Sequence, residues 1–224
     1  MADLTIWVLG DGPNEIAREW DHLLESGQLP ALPRLVHRLL GEPARAKYEL
    51  RLFRRIEHVR GKGDVWRKKA EAAIALARER GFDALVIVID RDRQSRGGKC
   101  RPVSDGRDGM AHLGYPPCAV GCAIETFDAW MIADGSAVGA ADGDAARSHP
   151  DPESLDQEEG TGRHPKDRAI ELFGSAGALT AAYAQVAAHV DLNLLEKLCP
   201  RGFAPFAAEV WERIGPVVRE ESGA

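Results

Sequence analysis

Hydrophobic and polar positions follow two rhythms along this chain, and the changes between them set out its elements. Leu4-Thr5-Ile6-Trp7-Val8-Leu9 is a short, nearly continuous apolar run, which predicts a buried strand ending at Gly10-Asp11-Gly12. Pro13 suits a first helical position and Glu15 a first turn; Ile16, Trp20, Leu23 and Leu24 then recur at helical spacing as far as Ser26-Gly27. Leu35 to Leu40 fits a strand or a short helix equally well, and Tyr48 to Val59 is ambiguous in the same way. After the break at Gly61-Lys62-Gly63, Val65 to Arg80 is rich in Ala, Lys, Arg and Glu and predicts a helix, with Gly81 placed to stop it. Ala84 to Ile89 predicts another core strand. Cys118 to Ile124 predicts one more, followed by a short helix or turn over Glu125 to Ala133 that carries Phe127, Trp130 and Met131.

A strand, a helix and a strand at this spacing imply parallel neighbours joined by a right-handed crossover. The fold class expected is therefore α/β: a central, mostly parallel sheet flanked by helices, with a helical segment at the C-terminal side. Gln94 to Gly114 is polar and Gly-rich and reads as a surface loop. Gly135 to Gly162, with much Gly, Asp, Ser and Pro and little periodicity, reads as a mobile loop. Pro165 to Phe173, Leu179 to Val190, Leu192 to Leu198 and Phe206 to Ile214 read as helices. The organisation expected is a core over residues 1–134, a flexible loop over 135–164 and a helical segment over 165–224 packed on the core.

Candidate chemistry concentrates where the apolar runs end. Val86-Ile87-Val88-Ile89 leads into Asp90-Arg91-Asp92, and residues i and i+2 of a strand point to the same side. Two adjacent carboxylates repel unless a cation, a shared proton or water lies between them, and a hard divalent ion such as Mg2+ is the commonest productive partner. Asp11 and Glu15 follow the first strand, and Glu125 and Asp128 follow the strand Cys118 to Ile124. In a parallel sheet all these carboxylates leave from one edge, the edge at which open α/β sheets bind ligands.

Composition narrows the classes. The 224 residues suffice for one domain or one domain with an appendage, and 44% hydrophobic residues is ordinary for a globular chain. No apolar stretch is long enough to span a bilayer, and the opening strand lacks the basic region of a signal peptide, so no membrane partner and a cytoplasmic location are expected. Four cysteines, Cys100, Cys118, Cys122 and Cys199, fit a reducing compartment better than a disulfide scaffold. The net charge of −6 argues against non-specific coating of nucleic acid, but it is unevenly spread. Arg51, Arg54, Arg55, Arg60, Lys62, Arg67, Lys68 and Lys69 form one basic zone, and Arg91, Arg93, Arg96, Lys99 and Arg101 another; the acidic surplus lies in Asp142 to Glu159. A basic zone beside clustered carboxylates suits an enzyme acting on phosphates, whereas solvated helix faces are the plainer account of any single charge.

Several of these segments resemble a known family. Gly10-Asp11-Gly12-Pro13-Asn14-Glu15 is similar to the E-G-x-T-E opening of Toprim-type proteins, and Val86 to Asp92 to their hhhDxD strand. Ala123-Ile124-Glu125-Thr126-Phe127-Asp128-Ala129-Trp130-Met131-Ile132-Ala133-Asp134 resembles the I-E-A-W-L-L-A-D segment of DUF4276, a bacterial family of Toprim-like fold. His164-Pro165-Lys166 and Cys199 to Phe203 resemble that family's later landmarks. The resemblance implies a Mg2+- or Mn2+-dependent nuclease of a defence or mobile-element module. Asp11, Asp90, Asp92 and Glu125 would be metal ligands, and Asp11, Glu15 and Lys166 catalytic residues. Arg60, Lys62, Arg91 and Arg93 would be the nucleic-acid contacts. Nucleic acid, an ATPase and a second copy of the chain are the partners expected.

One departure matters. The family's first acid is Glu, and the shorter Asp11 stands in its place; flanking Gly10 and Gly12 allow closer backbone approach, but a general base loses reach. The alternative is therefore a non-catalytic binding subunit that regulates a partner ATPase. A phosphatase using Asp-x-Asp fits less well, because Arg93-Gln94 follows the pair and it lies mid-chain. Cys118 and Cys122 share a strand face and read as small core residues, the scattered histidines show no zinc spacing, and Trp7, Trp66 and Trp130 read as packing residues.

Overall fold

The computed structural model describes residues 3–17, 20–58, 63–91, 98–155 and 158–223. The elements in chain order are β1 (Leu4–Gly10), α1 (Pro13–Ile16), β2 (Trp20–Leu24), α2 (Ala31–Leu39), β3 (Ala46–Leu52), α3 (Val65–Glu79), β4 (Ala84–Asp90), α4 (Cys100–Met110), β5 (Cys118–Ala123), α5 (Asp128–Met131) and α6 (Gly135–Ala140). They are followed by α7 (Pro165–Phe173), α8 (Leu179–His189), α9 (Leu192–Leu198), α10 (Phe203–Glu209), a π-helical turn at Val210–Ile214 and α11 (Gly215–Gly223). The five strands pair in the order β2-β3-β1-β4-β5. β1 is parallel to β3, from Leu4↔Ala46 to Gly10↔Leu52, and to β4, from Ile6↔Ala84 to Leu9↔Ile87. β4 is parallel to β5 through Asp90↔Ala123, and β2 runs antiparallel along β3.

Strand period distributes the core between two faces. Ile6, Val8, Val86 and Val88 point to one side, where they meet α2, α5 and the C-terminal helices through Leu35, Val36, Trp130, Tyr183, Phe203 and Phe206. Trp7, Leu9, Leu85, Ile87 and Ile89 point to the other, under Ala70, Ala73 and Ile74 of α3 and Val103 of α4. The sheet is thus covered on both faces, which is why β1, β4 and β5 are almost wholly apolar, whereas β3 carries Lys47, Glu49 and Arg51.

The structure resolves or corrects several readings of the pattern. Leu35 to Leu39 belongs to α2, with Leu40 as its C-cap, and Tyr48 to β3. The helical spacing after Ile16 does not continue: Ala17 lies at φ +61°, α1 stops after one turn, and β2 covers the outer edge of β3. The polar stretch expected as a loop over 94–114 contains α4. Its Gly106 serves contact rather than a turn, since a Cβ there would lie 2.6 Å from the Arg67 carbonyl oxygen of α3. The segment 135–164 is not a free loop in its described residues. Asp134 caps α6, Ala137 and Val138 are buried, and buried Glu153 accepts hydrogen bonds from the backbone N–H groups of Arg201 and Gly202.

The cysteine reading also needs correction. Cys100, the first residue of α4, is disulfide-bonded to Cys122 of β5, their Cα atoms 5.7 Å apart. Cys118 and Cys199 are free and buried. Among the described residues no helix is long and apolar enough to cross a membrane.

Candidate functional site

The chain leaves β1 for β3 on one side and returns to β4 on the other, so the carboxyl ends of β1 and β4 border a topological switch point. Asp11 is the first residue past β1 and Asp90 the last of β4. They meet there: the Asp90 backbone N–H lies 3.4 Å from Asp11 Oδ2. Asp90 Oδ1 in turn accepts a shorter hydrogen bond, 2.8 Å, from the Phe127 backbone N–H beyond β5. Three strand ends are thereby tied together through two aspartates.

Glu15 belongs to the same cluster and has a defined structural task. Its Oε2 accepts from the Asp11 N–H at 2.7 Å and its Oε1 from the Gly12 N–H at 3.0 Å, so the side chain closes the β1–α1 turn from below. Only 3% exposed, its carboxyl is held well above the usual carboxylate range by burial first, then by the charges of Asp90 and Asp11, against the opposing pull of the two N–H groups. Gly10 makes room for it: a Cβ at that position would lie 2.5 Å from Glu15 Oε2.

The cation in this cluster is Lys99, at the start of α4. Its Nζ donates to Asp11 Oδ2 at 2.9 Å and lies 5.2 Å from the centre of the Trp66 ring. Both partners are shielded, with side-chain exposures of 11% and 14%. Lys69 stands on the same side: it donates to the Arg54 carbonyl oxygen, and burial lowers its proton affinity against an opposing pull from Asp11.

Beyond Asp90 the edge opens into a cavity of about 250 Å3 lined in part by Asn14, Thr126, Asp128, His164, Lys166 and Tyr183. Lys166 reaches it from the first turn of α7 and forms a 2.7 Å ion pair with Glu159. Buried Tyr183 donates its hydroxyl to Asp128, and burial followed by the Asp128 charge pushes the phenol well up.

The residues singled out from sequence are therefore not all alike. Asp11, Glu15 and Asp90 converge, and Lys166 faces the adjoining cavity. Glu125 sits at φ +62° and is 1% exposed, in an ion pair with the partly exposed Arg91. That pairing gives Glu125 a cationic partner in Arg91, one of the residues expected to contact nucleic acid. Asp92, Arg60, Lys62 and Arg93 lie outside the described residues. Among the described residues no three His, Cys, Asp or Glu side chains form a ready-made metal cage. Sequence reasoning did not single out Lys99, which was one cation in a basic run, or the Asp128–Tyr183 pair, whose members are 55 positions apart.

The donor set nevertheless suits a hard cation. Asp11 and Asp90 bring carboxylates to one point, burial and then their two charges keep Glu15 from ionising, and an ammonium group already takes the cationic place on Asp11. Searches against protein-family models, curated proteins and solved structures returned no match to this chain.

Proposed function

We propose that the chain is a Mg2+- or Mn2+-dependent phosphodiesterase acting on nucleic acid, of the Toprim-like kind that its DUF4276-like segments suggest. The observation that carries this reading is the meeting of Asp11 and Asp90 at the β1–β4 switch point. Asp11 and Asp90 would hold the ion, with Asp92, two residues along the chain, as the further donor. Bound there, a divalent ion supplies polarisation of a phosphodiester and of an attacking water.

The chain's own residues supply the rest. Glu15 fixes the backbone N–H groups of Asp11 and Gly12, and so sets the direction in which the Asp11 carboxylate leaves β1. The Phe127 N–H orients Asp90. Lys166 places a positive charge in the adjoining cavity, where it offsets the negative charge of a bound phosphate. Burial of the cluster keeps these interactions strong by limiting screening water.

A second reading, a metal- or nucleic-acid-binding subunit that regulates a partner ATPase without cleaving, is favoured by one observation: Asp11 is short and is engaged by Lys99. Incubation of the purified chain with single- and double-stranded DNA and RNA in Mn2+ separates the two. Cleavage by wild type that falls at least about a hundredfold in Asp90→Asn, with the circular dichroism spectrum unchanged, supports the enzyme. Wild type inert on all four substrates, while still binding Mn2+, establishes the binding subunit.

A further inference from the structure

We propose that the Cys100–Cys122 disulfide is a redox latch on the cation site. Closed, it keeps the Lys99 ammonium on Asp11 where a divalent ion would bind; opened by a dithiol, it lets the ion displace the lysine. The proposal rests on the metal reading above. Lys99 immediately precedes Cys100, so the bond anchors the residue next to the lysine. Its other end, Cys122, pairs in register with Ile89, one step before the Asp90↔Ala123 pair. One covalent link thus fixes the start of α4 relative to the strand that carries Asp90.

The rest of α4 has its own anchors. Gly106 packs against the Arg67 carbonyl, Val103 is fully buried, and Arg107 near the helix end forms an ion pair with Glu209. Reduction therefore loosens the first turn of α4, which bears Lys99, and leaves the helix docked; openings of this size are local events within a folded molecule. The closed state is stable because the lysine–aspartate pair is shielded from water and Nζ also lies near the Trp66 ring.

The exchange balances with a dithiol reductant. A thiolate of the reductant attacks the Sγ of Cys122, the less buried of the two residues, and Cys100 leaves as a thiolate that takes up a proton. The reductant's second thiol then displaces Cys122, which is also protonated. Two electrons and two protons reach the protein, and the reductant becomes a disulfide.

The test is a calorimetric titration of the full chain with MnCl2 in three forms: air-oxidised, dithiol-reduced with the reductant removed under nitrogen, and the Cys100→Ser/Cys122→Ser double variant. Reduction and the double substitution are expected to tighten Mn2+ binding about tenfold, the scale of one charge-assisted hydrogen bond. Lys99→Met is expected to bind as tightly as the reduced protein in either redox state. Thiol titration of the denatured, air-oxidised chain is expected to find two free thiols, Cys118 and Cys199. Equal Mn2+ affinity in oxidised and reduced protein overturns the latch and leaves the metal reading standing, as does a finding of four free thiols. Absence of Mn2+ binding in every form, Lys99→Met included, overturns both.

Discussion

Gly10 and Glu15 show how narrowly one residue is constrained at this site. A methyl group on residue 10 meets a carboxylate whose two oxygens each accept from a backbone amide, so it cannot retreat without breaking those bonds. Gly10→Ala is expected to cost roughly 1–3 kcal/mol of stability, measured as a shift of the urea midpoint, with the slope unchanged. The sequence made the acidic residues visible, because Asp and Glu after apolar strands are conspicuous. It did not make their tasks visible. Glu15 and Asp11 look equivalent as letters, yet one faces the turn's own backbone and the other faces Lys99. Nothing local distinguishes Lys99 from Arg101 or Arg91; its partner is 88 positions away.

At the level of elements, capping decides what hydrophobic period leaves open. Asp134 reads from sequence as the last residue of the segment Ala123 to Asp134, followed by residues too small and too Gly-rich to show a helix. In the fold its Oδ1 accepts from the Ser136 and Ala137 N–H groups at the start of α6, while Oδ2 accepts from the Asp191 N–H just before α9. Asp134→Ala is expected to lower stability by about 1–2 kcal/mol, with amide exchange accelerating first in α6 and at the start of α9. α4 escaped notice for a related reason, since glycine in it serves helix contact at Arg67 and weakens the periodic signal that would announce a helix. The long apolar strands and α3 were legible because their signals are local: uninterrupted β-branched runs, and a helix-forming stretch closed by Gly81. β2 was not, since a segment of mixed polarity becomes a strand here through its pairing with β3.

Across the whole molecule, the C-terminal helices complete the core instead of decorating it. Phe206 of α10 lies so close to β5 that a Cβ on Gly121 would sit 2.7 Å from its ring and 2.9 Å from Val88 Cγ2. Trp130 stacks on the same Phe206 at a centroid distance of 5.4 Å and meets Phe203 edge-on. Gly121→Ala is expected to cost roughly 1–3 kcal/mol and to show in near-ultraviolet circular dichroism, because the displaced ring is part of the Trp130 environment. The α/β class with a helical C-terminal segment could be read from the order of apolar runs. The tight joining of that segment to the sheet could not, since it depends on a glycine and an aromatic ring 85 positions apart.

The central position of β1 has a consequence for how the protein is made. Its first partner, Ala46–Leu52, is synthesised only after an intervening stretch that includes α2, and its other edge remains unpaired until Ala84–Asp90 has emerged. During translation the first apolar run is therefore an open-edged strand waiting for both neighbours, the species most prone to be captured by chaperones or by another nascent copy. Asp11 and Asp90, separated by 79 positions, come together only when that wait ends, so the chemistry of the site and the completion of the sheet are a single event in the biogenesis of the molecule.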